Sequence, residues 1–483
     1  MLLRLADFFL FAGLAAAPLM YGSVQFLPLL FLALLSLIVF NLVVFSRPQA
    51  FVPVLRSFWV WLGLFLLAFV LFQLLPLPYE QIKLLSPATF DLYARTLPGG
   101  IPVGGRDTLS VYSNDTIMGL VQFMTYGLFF VTILLRLAPV ASADERLTAP
   151  HPLSLVKTEY LRLGCLSGVL SLLFHSIYDF NLHIAANGIY FVVLLGLGTG
   201  SAGRKDYDHS FFRRMIDFVI MFGFLVALFA IVQKFSYNGR IFWLGMKAPN
   251  PVGPYYNYDH FAGFMELCSA TATGMAVASI MHTSFSHCKG LSERLLWFST
   301  PEANRTLRYI LMSAVMISTI FMSTSRGGIM SFLLSQIIFF ALVLRAAARS
   351  SKKKRFAGIL TTVLLLAGVM VVWLGPEEFL ARFRLLSIDK IVKMEGPIGV
   401  RLDFYKGAWK VFKDFSFFGT GVNTFGTNFA RYRTFNFEIE YLRQAHNDYL
   451  HLMSETGYGG VIFLSVFLLL FAAVYLRTAS RLQ

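Results

Sequence analysis

Charge is what this chain most lacks. Only 14% of its 483 residues are Asp, Glu, Lys or Arg, where a soluble domain carries roughly 25%. With 57% hydrophobic residues and a mean hydropathy of +0.65, that scarcity excludes a soluble globular chain and points to a polytopic membrane protein. Acidic residues are the scarcer sign, 26 against 41 basic ones, for a net charge of +15. In a soluble chain this would suggest nucleic acid. Here most of the excess sits in short loops on one side, the positive-inside pattern, so no nucleic-acid partner is expected. Cysteine is rarer still: Cys165, Cys268 and Cys288 are odd in number and scattered, which excludes a disulfide framework and a thiolate metal site. No group of His, Asp and Glu is read as a divalent-metal site, and neither metal nor cofactor is expected. Nor is there an internal repeat of the kind that marks a transporter built from two related halves.

Long apolar runs are what the chain has instead. A spanning helix needs about 20 mainly apolar residues. Twelve candidates meet that need: 6–22, 26–45, 57–76, 116–136, 160–178, 185–200, 215–234, 258–281, 307–325, 328–346, 357–374 and 447–476. Pro18 directly follows Ala15-Ala16-Ala17 and further spans come at once, so the first run is read as a retained helix rather than a signal peptide. With the N-terminus inside, every short basic loop falls inside, from Arg47 and Arg56 to Arg477 and Arg481. The expected fold is therefore all-α. Residues 1–374 hold eleven spans, 375–446 form one long outer loop with an amphipathic helix, and 447–483 hold the last span and a tail. Shorter outer loops are expected at 77–115 and 235–257. The long loop carries eleven Lys or Arg against eight Asp or Glu, and a loop this long is not governed by the positive-inside rule.

Chemistry concentrates on that outer side. His446-Asn447-Asp448-Tyr449 opens the last span, and Gly457 and Gly460 follow. At 100° per residue, His446, Tyr449, Met453, Gly457, Gly460 and Leu464 are expected on one helix face. Histidine can exchange a proton near neutral pH, so His446 is a candidate base. From Arg401 to Phe415 the spacing predicts an amphipathic helix. Its apolar side is Tyr405, Ala408, Trp409, Phe412 and Phe415, and Arg401 lies on that side, where a buried arginine must pair or bind an anion. Gly419-Thr-Gly421-Val-Asn423 is a turn-forming stretch. Ser323-Thr-Ser-Arg326-Gly-Gly328 joins two spans and offers an arginine fork suited to phosphate. His260 and Glu266 enter the eighth span. His175-Ser-Ile-Tyr-Asp179-Phe-Asn-Leu-His183 caps the hairpin of spans five and six, where tying the turn together is the favoured role.

Together these segments resemble the O-antigen ligase and O-antigen polymerase superfamily of bacterial envelope glycosyltransferases. The resemblance rests on His446-Asn447 with Gly457 and Gly460, Thr-Ser-Arg-Gly-Gly at 324–328, Asn-x-Asp-His-Phe-Ala-Gly at 257–263, and the Arg401 helix followed by Gly419-x-Gly421-x-Asn423. It covers nearly the whole chain. One departure is positional: in relatives a hairpin like 175–183 follows the histidine-bearing span, whereas here it precedes the seventh.

The resemblance implies a GT-C-like membrane fold in the bacterial inner membrane with its site facing the periplasm. It implies inverting transfer of a preassembled glycan from undecaprenyl pyrophosphate to a sugar hydroxyl, without metal or nucleotide. The acceptor would be the lipid A core for a ligase, the reading preferred, or a second lipid-linked glycan for a polymerase. His446 would be the base, with Arg401 and Arg326 on the departing pyrophosphate. Tyr405, Trp409, Asn423, Arg431, Arg433, Arg443, Asn447, Tyr449 and His260 would contact substrate, and His451 would be a bystander. A lipid-linked glycan flippase or transporter is the rival of another class. Such a protein usually places ionisable groups near the bilayer midplane, not at the outer mouth.

Overall fold

The structure is a computed structural model that describes residues 1–139, 158–200, 207–248, 252–281, 290–347, 368–369, 397–432 and 443–482. The chain opens with a hairpin of α1 (Leu2–Leu19) and α2 (Phe26–Ser46). Next come α3 (Pro48–Leu55) and α4 (Phe58–Gln73), bent 77° from each other. Where only a loop was expected at 77–115, α5 (Tyr79–Leu85), α6 (Pro87–Thr96) and a two-strand ladder build a small cap. In the ladder, β1 (Leu77–Pro78) pairs antiparallel with β2 (Arg106–Asp107), and Tyr79, Ile82, Tyr93 and Leu109 give the cap its own apolar centre.

Then follow α7 (Ser113–Leu137), the hairpin of α8 (Thr158–His175) and α9 (Ala185–Gly200), α10 (His209–Phe235), α11 (Tyr258–Met281), the short α12 (Leu291–Trp297), α13 (Pro301–Met322) and α14 (Arg326–Ala347). The last elements are α15 (Pro397–Asp414), α16 (Phe425–Phe429) and α17 (Asp448–Ser480). Eight of these helices are long and apolar enough to cross a membrane, nine if α3 and α4 form one broken span. Of the twelve expected spans, 357–374 lies outside the described residues apart from its residues 368–369, α9, at 16 residues, is short for one, and α8, expected as the span 160–178, is not among the helices long and apolar enough to cross.

Helix α11 runs through the centre, and every residue from Asp259 to Met281 is buried. Small residues allow this. A Cβ on Gly274 would lie 2.7 Å from the Cα of Gly164 in α8, so the two backbones touch where they cross. One end of the bundle carries an ionic knot, buried except for the exposed Arg214. Arg136 holds Asp7 at 2.7 Å and Asp208 at 3.2 Å, Arg47 reaches Asp208 at 3.1 Å, and Arg214 reaches Asp7 at 3.1 Å. It ties α1, α7 and α10 together at the end where the basic loops gather, and removing one partner of such a buried pair costs about 3–5 kcal/mol.

Two elements depart from the helical-wheel expectation. In α15 the buried face is Phe404, Ala408, Val411, Phe412 and Phe415, while Trp409 is 45% exposed. The face is rotated from the expected one because α15 rests against α17 rather than lying alone on a surface. In α17 the helix starts after Asn447, whose side chain caps it by accepting from the Leu450 N–H at 2.9 Å. It is broken at Gly457 (φ 58°, ψ −143°). His446 therefore sits before the helix at φ 50°, and the shared face with Gly457 and Gly460 does not form.

Candidate active site

At the end of the bundle opposite the ionic knot, His446 is positioned by two elements, the α8–α9 hairpin and α15. Its Nδ1 meets Asp179 Oδ1 at 3.0 Å. Its ring stacks on Phe404 of α15, with centroids 5.7 Å apart, and meets the edge of Phe180 at 4.8 Å. Its carbonyl accepts a hydrogen bond from Tyr405 Oη at 3.0 Å, and Tyr405 also donates to the Ile177 carbonyl. Burial raises the Tyr405 phenol to about 12, so it serves as a donor. With Nδ1 engaged by a carboxylate, Nε2 of His446 is left as the acceptor. It has no partner among the described residues, and the side chain is 26% exposed.

Asp179 comes from the α8–α9 hairpin, whose polar groups were expected either to line a site or, the favoured reading, to tie their own turn. Its side chain is 1% exposed. Burial by itself would raise the carboxyl. The hydrogen bond with His446 and the charges of His260, His446 and His175 outweigh it and hold Asp179 well below the usual carboxylate range. His260 packs edge-on against Phe180 and places Nε2 3.8 Å from Asp179 Oδ2. Behind them, Glu266 accepts from Ser171 at 2.6 Å and meets His175 Nδ1 at 2.8 Å. His175 Nε2, His260 Nε2 and Asp179 Oδ2 are buried without a hydrogen-bond partner.

The arginines lie on the other flank. Arg401 reaches Asp259 at 3.6 Å, and Asp259 accepts from Ser325 Oγ at 2.5 Å. Ser325 in turn accepts from the Gly328 N–H at 3.1 Å and so caps α14. Arg326 is the first residue of α14, half-buried, with no ion pair among the described residues. An arginine and N–H groups at the start of a 22-residue helix are an arrangement that can hold an anion. Glycine is needed here. A Cβ on Gly328 would lie 2.7 Å from Ala262, and one on Gly327 3.1 Å from His175.

The remaining expected residues divide. Asn447 donates to the Ile177 carbonyl at 2.9 Å, and Tyr449 donates to the Leu173 carbonyl. Both fasten α17 to the hairpin. Asn423, at φ 66°, donates to the Asp115 carbonyl at 3.2 Å and fastens the glycine turn to α7. Trp409 packs on Phe412 away from His446. Arg431 and Arg443 are exposed, and Arg433 lies outside the described residues. His451, expected to be a bystander, is buried with Nε2 2.9 Å from Glu455 and its ring on His183. Sequence reasoning missed Asp179 and Asp259 as parts of the site. The signal present was weak: polar residues at the same outer mouth, Asp259 next to His260.

Two groups of side chains stand close enough to hold a metal ion. His175, Asp179 and Asp259 form one, inside the site, where Arg401 and Arg326 already supply positive charge. His183, His451 and Glu455 form the other.

The protein is thus, by class, a polytopic, mostly helical membrane protein with a histidine–aspartate pair beside two arginines at one mouth of its bundle. Residues 311–465 match the family model described as O-antigen ligase. That stretch holds Arg326, Arg401 and His446 and is similar to that family over about a third of the chain; Asp179 and Asp259 lie outside it. No curated protein and no solved structure matches the chain.

Proposed function

We propose that this protein transfers a preassembled glycan from undecaprenyl pyrophosphate to a sugar hydroxyl of the lipid A core, at the periplasmic face of the inner membrane. The observation that carries this reading is His446, held through Nδ1 by buried Asp179 with Nε2 open, in a family segment that also contributes Arg401 and Arg326. The acceptor oxygen attacks the anomeric carbon, and Nε2 of His446 takes its proton. The bond from that carbon to the pyrophosphate oxygen breaks, and the configuration inverts. Asp179 stabilises the imidazolium as it forms. Arg401, Arg326 and the N–H groups opening α14 receive the charge of the departing pyrophosphate. Tyr405 fixes the backbone of His446, His260 flanks Asp179, and apolar helix faces hold the polyprenyl tail.

The test is purified protein with the lipid-linked glycan and either lipid A core or a second lipid-linked glycan. We expect product with the core acceptor and a loss of about 10²–10⁴-fold for His446→Ala. Arg401→Ala is expected to lose product as well while the protein stays folded. Undiminished transfer by His446→Ala removes it as the base. Product only with the second lipid-linked glycan makes the protein a polymerase. Movement of the glycan lipid across vesicles without product makes it a transporter.

A further inference from the structure

We propose that His183, His451 and Glu455 bind one divalent cation of the zinc type, at the same mouth of the bundle but apart from His446. The donor atoms of the three side chains lie within 4.8 Å of one another. His451 and Glu455 stand one turn apart on α17, and His183 closes the short turn Asn181–His183 at the tip of the α8–α9 hairpin. The ligands thus come from two separate elements that meet only in the folded chain.

Their surroundings are those of a prepared site. Asp448 Oδ1 takes the Nδ1 side of His183 at 2.7 Å, which leaves Nε2 for a ligand, the arrangement by which a second carboxylate orients a metal-bound imidazole. Asp448 is itself held by Ser176 Oγ at 2.7 Å and the Leu182 N–H at 3.1 Å. The Phe425 N–H fixes Glu455 Oε1 at 2.9 Å. Charge points the same way. Asp448 and Glu455 are both buried, and their ion-pair partners among the described residues are the two imidazoles, with no Lys or Arg. Two buried carboxylates facing two imidazoles require positive charge, and a proton or a cation can supply it.

In the ion-free state the His451 Nε2–H is shared with Glu455 at 2.9 Å. A cation takes that place, and the ring proton moves to Nδ1. The contact given up is the long one, 3.4 Å, from the Ala445 N–H. Two imidazole nitrogens and one carboxylate oxygen, with a fourth position open to water, form a tetrahedral set that suits zinc. A cation bound there clamps the hairpin tip to α17 and so steadies the Asp179–His446 pair, which joins the same two segments.

The experiment uses full-length protein in detergent, stripped by a chelator, then titrated with Zn²⁺ by calorimetry and with Co²⁺ by visible absorption. One ion per chain and four-coordinate Co²⁺ bands are expected. His183→Gln, at a side chain 24% exposed, and Glu455→Gln are each expected to weaken binding more than tenfold. Asp448→Asn should weaken it about 10–100-fold. Absence of saturable uptake by the wild type overturns the proposal and leaves the cluster as a hydrogen-bond network. Uptake that is unchanged in His183→Gln and Glu455→Gln, both eluting as the wild type does, also overturns it.

Discussion

Replacing Asp179 with Asn tests the central pair most directly. The side chains are nearly the same size, so packing around Phe180 and His260 is kept and only the charge is removed. At an effective dielectric of 20, unit charges at the observed 3.0 Å interact by about 5.5 kcal/mol. His446 is 26% exposed, and solvent screening brings the usable part to about 3–4 kcal/mol. The positive charge appears on the imidazole only when it takes the acceptor's proton. The loss therefore falls on kcat, by about 10²–10³-fold, with KM little changed. The assay is steady-state transfer by purified protein, with elution profile and thermal midpoint confirming the fold. A kcat within threefold of wild type, or a loss confined to KM, would refute the role assigned to Asp179.

Arg326→Lys keeps the charge and loses the planar fork; kcat/KM for the lipid-linked donor should fall about 10–100-fold, read by varying donor at fixed acceptor. Unchanged kcat/KM would take Arg326 off the pyrophosphate. Gly457→Ala should lower stability by about 2 kcal/mol or more, because a Cβ there would lie 2.7 Å from the Phe417 carbonyl carbon in a backbone region reserved for glycine. A thermal midpoint equal to wild type would contradict this. His183 provides a pH test in the presence of chelator. Burial lowers its affinity for the proton, but the hydrogen bond and charge of Asp448 outweigh this and leave it raised. A raised value means the pairing stabilises the fold fully below the unfolded value, about 6.5, and is lost as pH rises through the folded one. The gap in thermal midpoint between wild type and His183→Gln should shrink from pH 6 to pH 9; a constant gap would show that the pair does not titrate there.

Membrane class, helical fold and the mouth at which polar groups collect follow from the sequence alone. A spanning helix is a local object: about 20 apolar residues must satisfy their own backbone hydrogen bonds wherever they lie. His446, Arg401 and Arg326 could be singled out as candidates because their immediate neighbours, turn glycines and an amphipathic repeat, already restrict what they can do. Even there the wheel argument failed at its ends, since an N-cap at Asn447 and a left-handed Gly457 break the face that His446 was expected to share. Only the tertiary structure decided what those residues meet. Asp179 is 267 positions from His446, and nothing in a hairpin turn's own composition distinguishes a carboxylate that ties the turn from one that orients a distant imidazole. The same holds for His183 against His451 and Glu455. Charge partners across a membrane bundle are chosen by which helices can approach closely. That was settled in the core, where Gly164 and Gly274 let α8 cross α11 and carry its hairpin tip to the mouth of α17.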